Sequence, residues 1–280
     1  MIVLGLMSGT SLDGLDLCFC DFSGFPNDEN GISWKILGAK TIEYPAEWKE
    51  KLNNAPNLSG LKLMNLHHNY GKHLGEACNS FINETGINPD LISSHGHTVF
   101  HEPKDGFTTQ IGDGNLIAAK TGSKTVDDFR TLDVALGGQG APLVPVGDEY
   151  LFKEFDACLN LGGIANISFK EAGSRKAFDI CPFNLLLNRE AKKLGYSFDD
   201  GGELAKKGIV SAPLLSKLSE LPFYQIQQAK SLDKEKLLAE YSEIIDKFDL
   251  PTTDILATLT KHFVTEIAIN IKGNNCYITG

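Results

Sequence analysis

Gly5-Leu6-Met7-Ser8-Gly9-Thr10-Ser11-Leu12-Asp13-Gly14-Leu15-Asp16 is the stretch that decides the fold. It lies between an apolar run, Met1 to Leu6, and an alternating run, Leu15 to Phe22, so it reads as the tight turn of a β-hairpin. Glycines 5, 9 and 14 permit positive φ and keep the backbone open to a close ligand, while Ser8, Thr10 and Ser11 offer hydroxyl donors. Such a turn can cradle a phosphate. Asp13 and Asp16 repel a bare phosphate and make sense when Mg²⁺ or a substrate hydroxyl lies between. Without a ligand, the same letters are an ordinary hairpin with a long polar loop.

Moving outward, Ser33 to Tyr44 supplies a third strand, with Trp34, Ile36 and Ile42 as apolar members and Pro45 as its stop. Leu58 to Thr85 reads as a helix, since Leu66, Tyr70, Leu74, Ala77 and Phe81 recur at helical spacing and Gly86 stops it. His67, His68 and His73 fall on it without an acidic or cysteine partner at ligand spacing, so they read as solvated. Leu91 to Phe100 reads as one strand carrying His95 and His97, with His101 past its end. These three histidines suit either a metal-dependent hydrolase or a polar rim at a strand's carboxyl end, where open α/β sheets place ligands. Joint ligation would need a bend in the strand. Gln110 to Gly114 precedes a short helix, Asn115 to Thr121, and Lys124 to Phe129 reads as a further strand. Arg130, Asp133 and Gln139 then sit in a glycine- and proline-rich connector that runs to Pro145. They suit a surface ion pair or, better, a sugar pocket, because hydroxyls want paired donors and acceptors.

Around residue 150 the pattern restarts. Asp156 to Lys170 reads as strand, turn and strand around Asn160-Leu-Gly162-Gly163-Ile-Ala-Asn166. Lys176 to Phe183 is a short strand carrying Asp179, which suits either a helix cap or a general base, and a helix follows from about Asn184 to Leu194. Leu204 to Leu221, Lys234 to Phe248 and Thr252 to Lys272 read as helices, and Asn275 to Thr279 as a strand. Two glycine-rich hairpins, one per half, would face each other across a cleft and hold a polyphosphate from both sides.

The totals agree with a folded protein: 280 residues are 42% hydrophobic and 22% charged. A net charge of −10 argues against nucleic acid or an anionic membrane as partner. No apolar run approaches the roughly eighteen residues of a membrane helix, and the amino terminus lacks the basic flank of a signal peptide. Six cysteines show no framework spacing, and Cys18 and Cys20 alternate on one strand face, which points to buried thiols in a reducing cytoplasm.

Met7 to Asp16 resembles the nucleotide-binding signature of the anhydro-N-acetylmuramic acid kinases, a branch of the sugar kinase, Hsp70 and actin superfamily. Ser94 to Pro103, Gln110 to Gly112, Asp128 to Asp133, Gly137 to Pro145, Leu159 to Ile167, Phe178-Asp179 with Pro182 and Asn184, and Lys230-Ser231 are similar to the same family in the same order. The resemblance implies an α/β, two-domain actin-like (ribonuclease H-like) ATPase fold, with mixed sheets flanked by helices and a cleft between the domains. Residues 1–150 would be the amino-terminal domain, and 151–280 the carboxyl-terminal one, ending short of the glycine-rich turn that contacts adenosine. The implied activity opens the 1,6-anhydro bond of anhydro-N-acetylmuramic acid with water and phosphorylates O6, using ATP and Mg²⁺, in cell-wall sugar recycling. Dimerisation through the second domain is implied as well.

By the same resemblance Asp179 is the base that activates water. Gly9, Thr10, Ser11, Leu12, Asp13, Gly14, Leu15 and Asp16 hold the ATP phosphates together with Gly162 and Gly163, and Asp13 or Asp16 lies nearest the metal. His97, Arg130, Asp133 and Gln139 contact the sugar. Met7 replaces an aspartate of related sugar kinases, His97 stands where the family has Gln, and Ile180, Cys181 and Phe183 are bulkier than the family's residues beside Asp179. The short carboxyl end and the bulky neighbourhood of Asp179 motivate an alternative, an inactive relative that binds or senses an amino sugar or nucleotide.

Overall fold

Alternation along the opening residues builds the first sheet. The computed structural model describes residues 1–9, 12, 14–23, 32–226, 234–271, 273 and 275–280, with the backbone alone for 234–236. In it β1 (Ile2–Ser8) and β2 (Gly14–Asp21) pair antiparallel, and Leu4, Leu6, Leu15, Leu17 and Phe19 are buried on one face. β3 (Lys35–Glu43) joins β2 through a bulge between Phe19 and Cys20. Two helices follow, α1 (Ala46–Asn53) and α2 (Gly60–Thr85), the second ended by Gly86 at φ +69°. α2 lays Leu66, Tyr70, Leu74, Cys78 and Phe81 on the buried face of the sheet, each large apolar side chain contributing about 1.5–3 kcal/mol.

β4 (Leu91–Ser94) returns parallel to β1, but the strand expected over 91–100 is two strands. β5 (His97–Glu102) pairs instead with β6 (Phe107–Ile111) in a separate hairpin. The break is at Gly96, where φ is +68° and a Cβ would lie 2.7 Å from the Ile111 carbonyl oxygen. α3 (Gly114–Thr121) is capped by the Asp113 carboxylate, β7 (Thr125–Val126) runs parallel to β4, and a short α4 (Thr131–Ala135) follows. The sheet order is β3-β2-β1-β4-β7.

The histidines of α2 are mostly not solvated. His67 Nδ1 accepts from Gly112 N–H at 3.1 Å, and the His73 ring lies 4.7 Å from that of Trp48. Only His68 stays exposed, because the loop before α3 and helix α1 cover the other two.

The chain divides into two compact units, Met1–Leu143 and Val144–Gly280. The second begins with α5 (Val144–Leu151), which buries Asp148. Ser168 Oγ donates to Asp148 at 2.5 Å, and Arg175 donates to Glu149 at 2.9 Å and to Ser168 Oγ at 3.0 Å. β8 (Ala157–Leu161), β9 (Ala165–Glu171) and β10 (Ser174–Cys181) form an antiparallel meander. After it come α6 (Phe183–Lys193), α7 (Ala212–Ser219), α8 (Lys234–Ile245), α9 (Thr252–Asn270) and β11 (Cys276–Thr279). β11 adds parallel to β8, giving the order β10-β9-β8-β11.

The helix expected over 204–221 is only α7, preceded by short turns. The break is at Gly208, whose backbone is extended at φ −91° and ψ 164° and packs so closely on the start of α9 that a Cβ would lie 2.0 Å from the Thr253 carbonyl oxygen. Ser211 then caps α7, its hydroxyl accepting from Leu214 N–H. Ile180, Cys181 and Leu186 join Tyr241, Leu259 and Phe263 in the core of this unit.

Both sheets follow one plan: three antiparallel strands with a parallel strand added beside the first. That is the repeated mixed α/β topology expected of an actin-like chain. Among the described residues, no helix is long and apolar enough to cross a membrane.

Candidate active site

The first glycine-rich turn starts at the end of β1. Leu12 N–H donates to the Gly9 carbonyl at 3.3 Å, and Leu12 takes φ +58°, a strained conformation that sites tolerate. Gly14 is glycine for packing, because a Cβ there would lie 2.7 Å from the Ile42 carbonyl oxygen. The Leu15 side chain belongs to the core, so only its backbone is available to a ligand. Thr10, Ser11 and Asp13 lie outside the described residues, as does Lys230-Ser231.

Asp16 stands opposite Met7 on the face of the sheet away from α2 and is exposed. Its Oδ1 accepts from Thr41 Oγ1 at 2.6 Å. Gly5, Met7, Asp16, Cys18, Ser93 and His95 line a shallow groove of about 300 Å³ on that face. Mg²⁺ is usually held by one or two carboxylates together with phosphate oxygens and water, so Asp16 fits such an ion. A protein-only cage is a different matter. Among the described residues no three His, Cys, Asp or Glu side chains converge.

The three histidines of residues 95–101 go to separate partners, which argues against the metal-dependent hydrolase. His95 Nδ1 faces the Gly96 carbonyl oxygen at 2.9 Å, while its Nε2 accepts from Arg130 Nε at 3.1 Å. Its lone pair is thereby used by a cation, and burial with the nearby guanidinium holds its pKa below the usual histidine range. His97 is 4% exposed and bonds to Ser8 Oγ at 3.2 Å. His101 Nδ1 bonds to Thr108 Oγ1 at 3.2 Å.

Arg130 and Asp133 form no ion pair with each other. Instead they hold the same residue from its two sides: Arg130 Nη1 donates to the Gly140 carbonyl at 2.6 Å, and the Asp133 carboxylate accepts from Gly140 N–H at 2.6 Å. Gly138 has no room for a Cβ beside the Asp133 carboxylate, at 2.2 Å. The loop that carries Gln139, which is exposed, is therefore clamped rather than loose. Arg130 ties this loop to His95, whereas His97 makes no bond to Arg130 and belongs to the Ser8 network.

In the second unit the Gly162-Gly163 turn meets the start of α6. Asn184 Nδ2 donates to the Leu161 carbonyl at 2.9 Å, and Leu185 N–H donates to the Gly163 carbonyl at 3.0 Å. Gly280 packs against the same turn, its Cβ position 2.5 Å from the Leu161 carbonyl carbon. Neither turn glycine is required by the protein's own packing. A Cβ at Gly162 would meet nothing closer than 3.5 Å, and at Gly163 only the flexible Leu185 side chain at 3.3 Å. The missing side chains leave bare peptide where a phosphate can approach.

Asp179 is half-buried on β10, beside a bulge between it and Cys181 of the kind that re-aims side chains near active sites. Register places it opposite Asn166, which is opposite Asn160, which pairs with Thr279. One polar row therefore crosses all four strands on a single face. Asn160 and Asn166 thereby join the candidate residues; both are three positions from Gly163, and a hairpin centred there makes them neighbours. Ile180 and Cys181 point into the core and Phe183 packs on Phe263, 5.9 Å between ring centroids, so none of the three bulky neighbours obstructs the Asp179 face.

The sequence profile of the family described as anhydro-N-acetylmuramic acid kinase matches residues 1–276. A protein of that name from Photobacterium profundum is 34% identical over 96% of this chain and 73% of its own length. Those from Haemophilus influenzae and Mannheimia succiniciproducens are 35% and 36% identical, over 94% and 96% of this chain and 74% and 75% of theirs. The chain thus spans about three quarters of the length of these relatives. With a profile match over nearly every residue and identities above 30%, the chain belongs to the anhydro-N-acetylmuramic acid kinase family.

Proposed function

We propose that this protein opens the 1,6-anhydro ring of anhydro-N-acetylmuramic acid and transfers the γ-phosphoryl group of ATP to O6, giving N-acetylmuramic acid 6-phosphate. The observation that carries the proposal is family membership across residues 1–276, which includes both glycine-rich turns and Asp179. Water adds to C1 as the C1–O6 bond breaks; O6 takes the phosphoryl group, and ADP leaves. Asp179 is the base that accepts the proton from that water. Asn166, next to it in the sheet, is suited to orient the carboxylate or the water. The backbone of Gly9 to Leu12 and of Gly162-Gly163 binds phosphate oxygens, so their role is positioning and charge neutralisation. Mg²⁺, when bound, would neutralise phosphate charge, with Asp16 and Asp13 as its carboxylates.

Arg130, held in a fixed orientation by Gly140 and His95, is suited to the lactyl carboxylate, with Asp133, Gln139 and His97 completing the sugar contacts. All six cysteines are free thiols and the reaction consumes ATP, which together suit the cytoplasm and the recycling of cell-wall sugars. The test is direct: purified protein with Mg²⁺, ATP and the anhydro sugar should release ADP in step with a product heavier than the sugar by one water and one phosphoryl group. ADP release indifferent to the sugar, or a phosphorylated product that retains the anhydro ring, would refute the assignment.

A further inference from the structure

Four side chains beneath the first turn form a hydrogen-bonded chain: Tyr70, Tyr44, Ser8 and His97. Tyr44 OH donates to Ser8 Oγ at 2.9 Å and lies 2.5 Å from Tyr70 OH. Ser8 Oγ lies 3.2 Å from His97 Nδ1. Ser8 and His97 are 2% and 4% exposed and Tyr70 is fully buried, so water does not compete for these bonds. Burial, reinforced by His95, pushes the His97 pKa down to about 4. The ring is therefore neutral at pH 7 and carries one N–H.

Proton counting fixes where that N–H is. The Tyr44 proton goes to Ser8, so the Tyr70 proton goes to Tyr44. Ser8 Oγ already receives a proton, and its own needs an acceptor. The Tyr70 hydroxyl also faces Ser8, but the acceptor in hydrogen-bonding geometry with Ser8 Oγ is His97 Nδ1. The opposite arrangement, with Nδ1–H donating to Ser8, puts two donors on the serine oxygen and leaves the buried serine proton without a partner. Nδ1 is thus the acceptor and Nε2 carries the hydrogen. His95, two residues away, has the reverse pattern, because Arg130 donates to its Nε2. The two rings consequently offer opposite chemistry.

We infer that Tyr44, acting through Ser8, is a positioning residue that locks His97 in its Nε2–H form, so that His97 donates to an acceptor oxygen of the sugar. His97 Nε2 makes no hydrogen bond among the described residues, so that donor is available. A carboxylate, acetyl carbonyl or ring oxygen is selected there over a hydroxyl hydrogen. The sugar side of this inference rests on the function proposed above. The lock itself does not.

The test reads the lock first, in the sugar-free protein at pH 7, by long-range proton–nitrogen NMR of the histidine rings, with the His97 signals assigned by their loss in His97→Gln. Wild type and Tyr70→Phe should both show the Nε2–H form, since Tyr44 still donates to Ser8. Tyr44→Phe/Tyr70→Phe, which removes both phenol protons near Ser8, and Ser8→Ala should each shift the ring toward Nδ1–H. An Nδ1–H ring in wild type, or an unchanged ring in both the double variant and Ser8→Ala, would overturn the inference. In the kinase assay the double variant should raise the sugar KM about three- to tenfold, the value of one hydrogen bond, with kcat and the ATP KM within about twofold. Equal rises in both KM values would mean a merely structural role and also count against it. The expected NMR pattern without sugar turnover by wild type would uphold the lock and refute the kinase assignment instead.

Discussion

Replacing Gly71 by Ala tests the packing that orients the first unit's loops. Gly71 is where α2 meets the cap of α3: a Cβ there would lie 2.6 Å from the Asp113 carbonyl oxygen and 2.8 Å from its nitrogen. Both are backbone atoms at the cap of α3, so no side chain can swing aside. Ordinary contact begins near 3.4 Å, so the two segments must separate by 3.4 − 2.6, about 0.8 Å. Overpacking of that kind costs about 1–3 kcal/mol, and disturbing the Asp113 cap costs about 1 more. Alanine's better helix propensity offsets about 1 kcal/mol, leaving a net loss of roughly 1–3 kcal/mol. Gly60 supplies the control, since it is in the same helix and a Cβ there meets nothing within 4 Å. Gly60→Ala should be neutral or stabilising by up to about 1 kcal/mol. Both tryptophans, Trp34 and Trp48, lie in the first unit, so urea unfolding followed by tryptophan fluorescence reports on it selectively. Equal shifts in midpoint for the two alanine variants would refute the reasoning.

The depressed pKa of His97 makes a pH prediction: with about 4 in the folded state against 6.5 unfolded, the unfolded chain binds the extra proton between those values. Stability of the first unit should therefore fall as pH drops from 6.5 to 4. His97→Gln should reduce that slope by up to about 1.4 kcal/mol per pH unit and change nothing above 6.5; an unaltered slope in fluorescence-monitored unfolding would contradict the buried neutral ring. Arg130→Lys cannot reproduce the fork that holds both His95 and Gly140. It should raise the sugar KM at least about tenfold while leaving the ATP KM near wild type, and steady-state kinetics showing no change would remove Arg130 from the sugar contacts. Arg175→Ala should destabilise the second unit by about 2 kcal/mol, because Glu149 and Ser168 lose charged hydrogen bonds. A circular-dichroism melt with an unshifted second-unit transition would argue against that anchor.

Much of the fold was legible because its signals are local. Alternation around Gly5 to Asp16 gave the first hairpin, the apolar stripe gave α2 and α9, and Gly86 and Pro45 marked true ends. What escaped depends on contacts between distant segments. Residues 91–100 alternate like one strand, yet the approach of Ile111 at Gly96 splits them between two sheets. Residues 204–221 keep a helical pattern that the contact of Gly208 with Thr253 overrides. His67 and His73 read as solvated since nothing in their helix announces Gly112 or Trp48 as partners. Of the proposed site, the glycine turns and Asp179 stand out in the sequence as letters. Asn160 and Asn166 can be paired by their spacing about Gly163, but only the register of β9 on β10 puts them in a row with Asp179. The bulky residues after Asp179 looked like obstacles in a linear reading; β10 and α6 turn them into the core instead.

The most direct test of the central claim compares wild type with Asp179→Asn in phosphate transfer, with ADP and sugar 6-phosphate followed together in the presence of Mg²⁺, ATP and anhydro-N-acetylmuramic acid. The substitution keeps size and hydrogen-bonding capacity while removing the base, so kcat should fall by about 10²–10⁴ with sugar binding by calorimetry within a few-fold of wild type. Turnover by Asp179→Asn close to that of wild type would contradict the account.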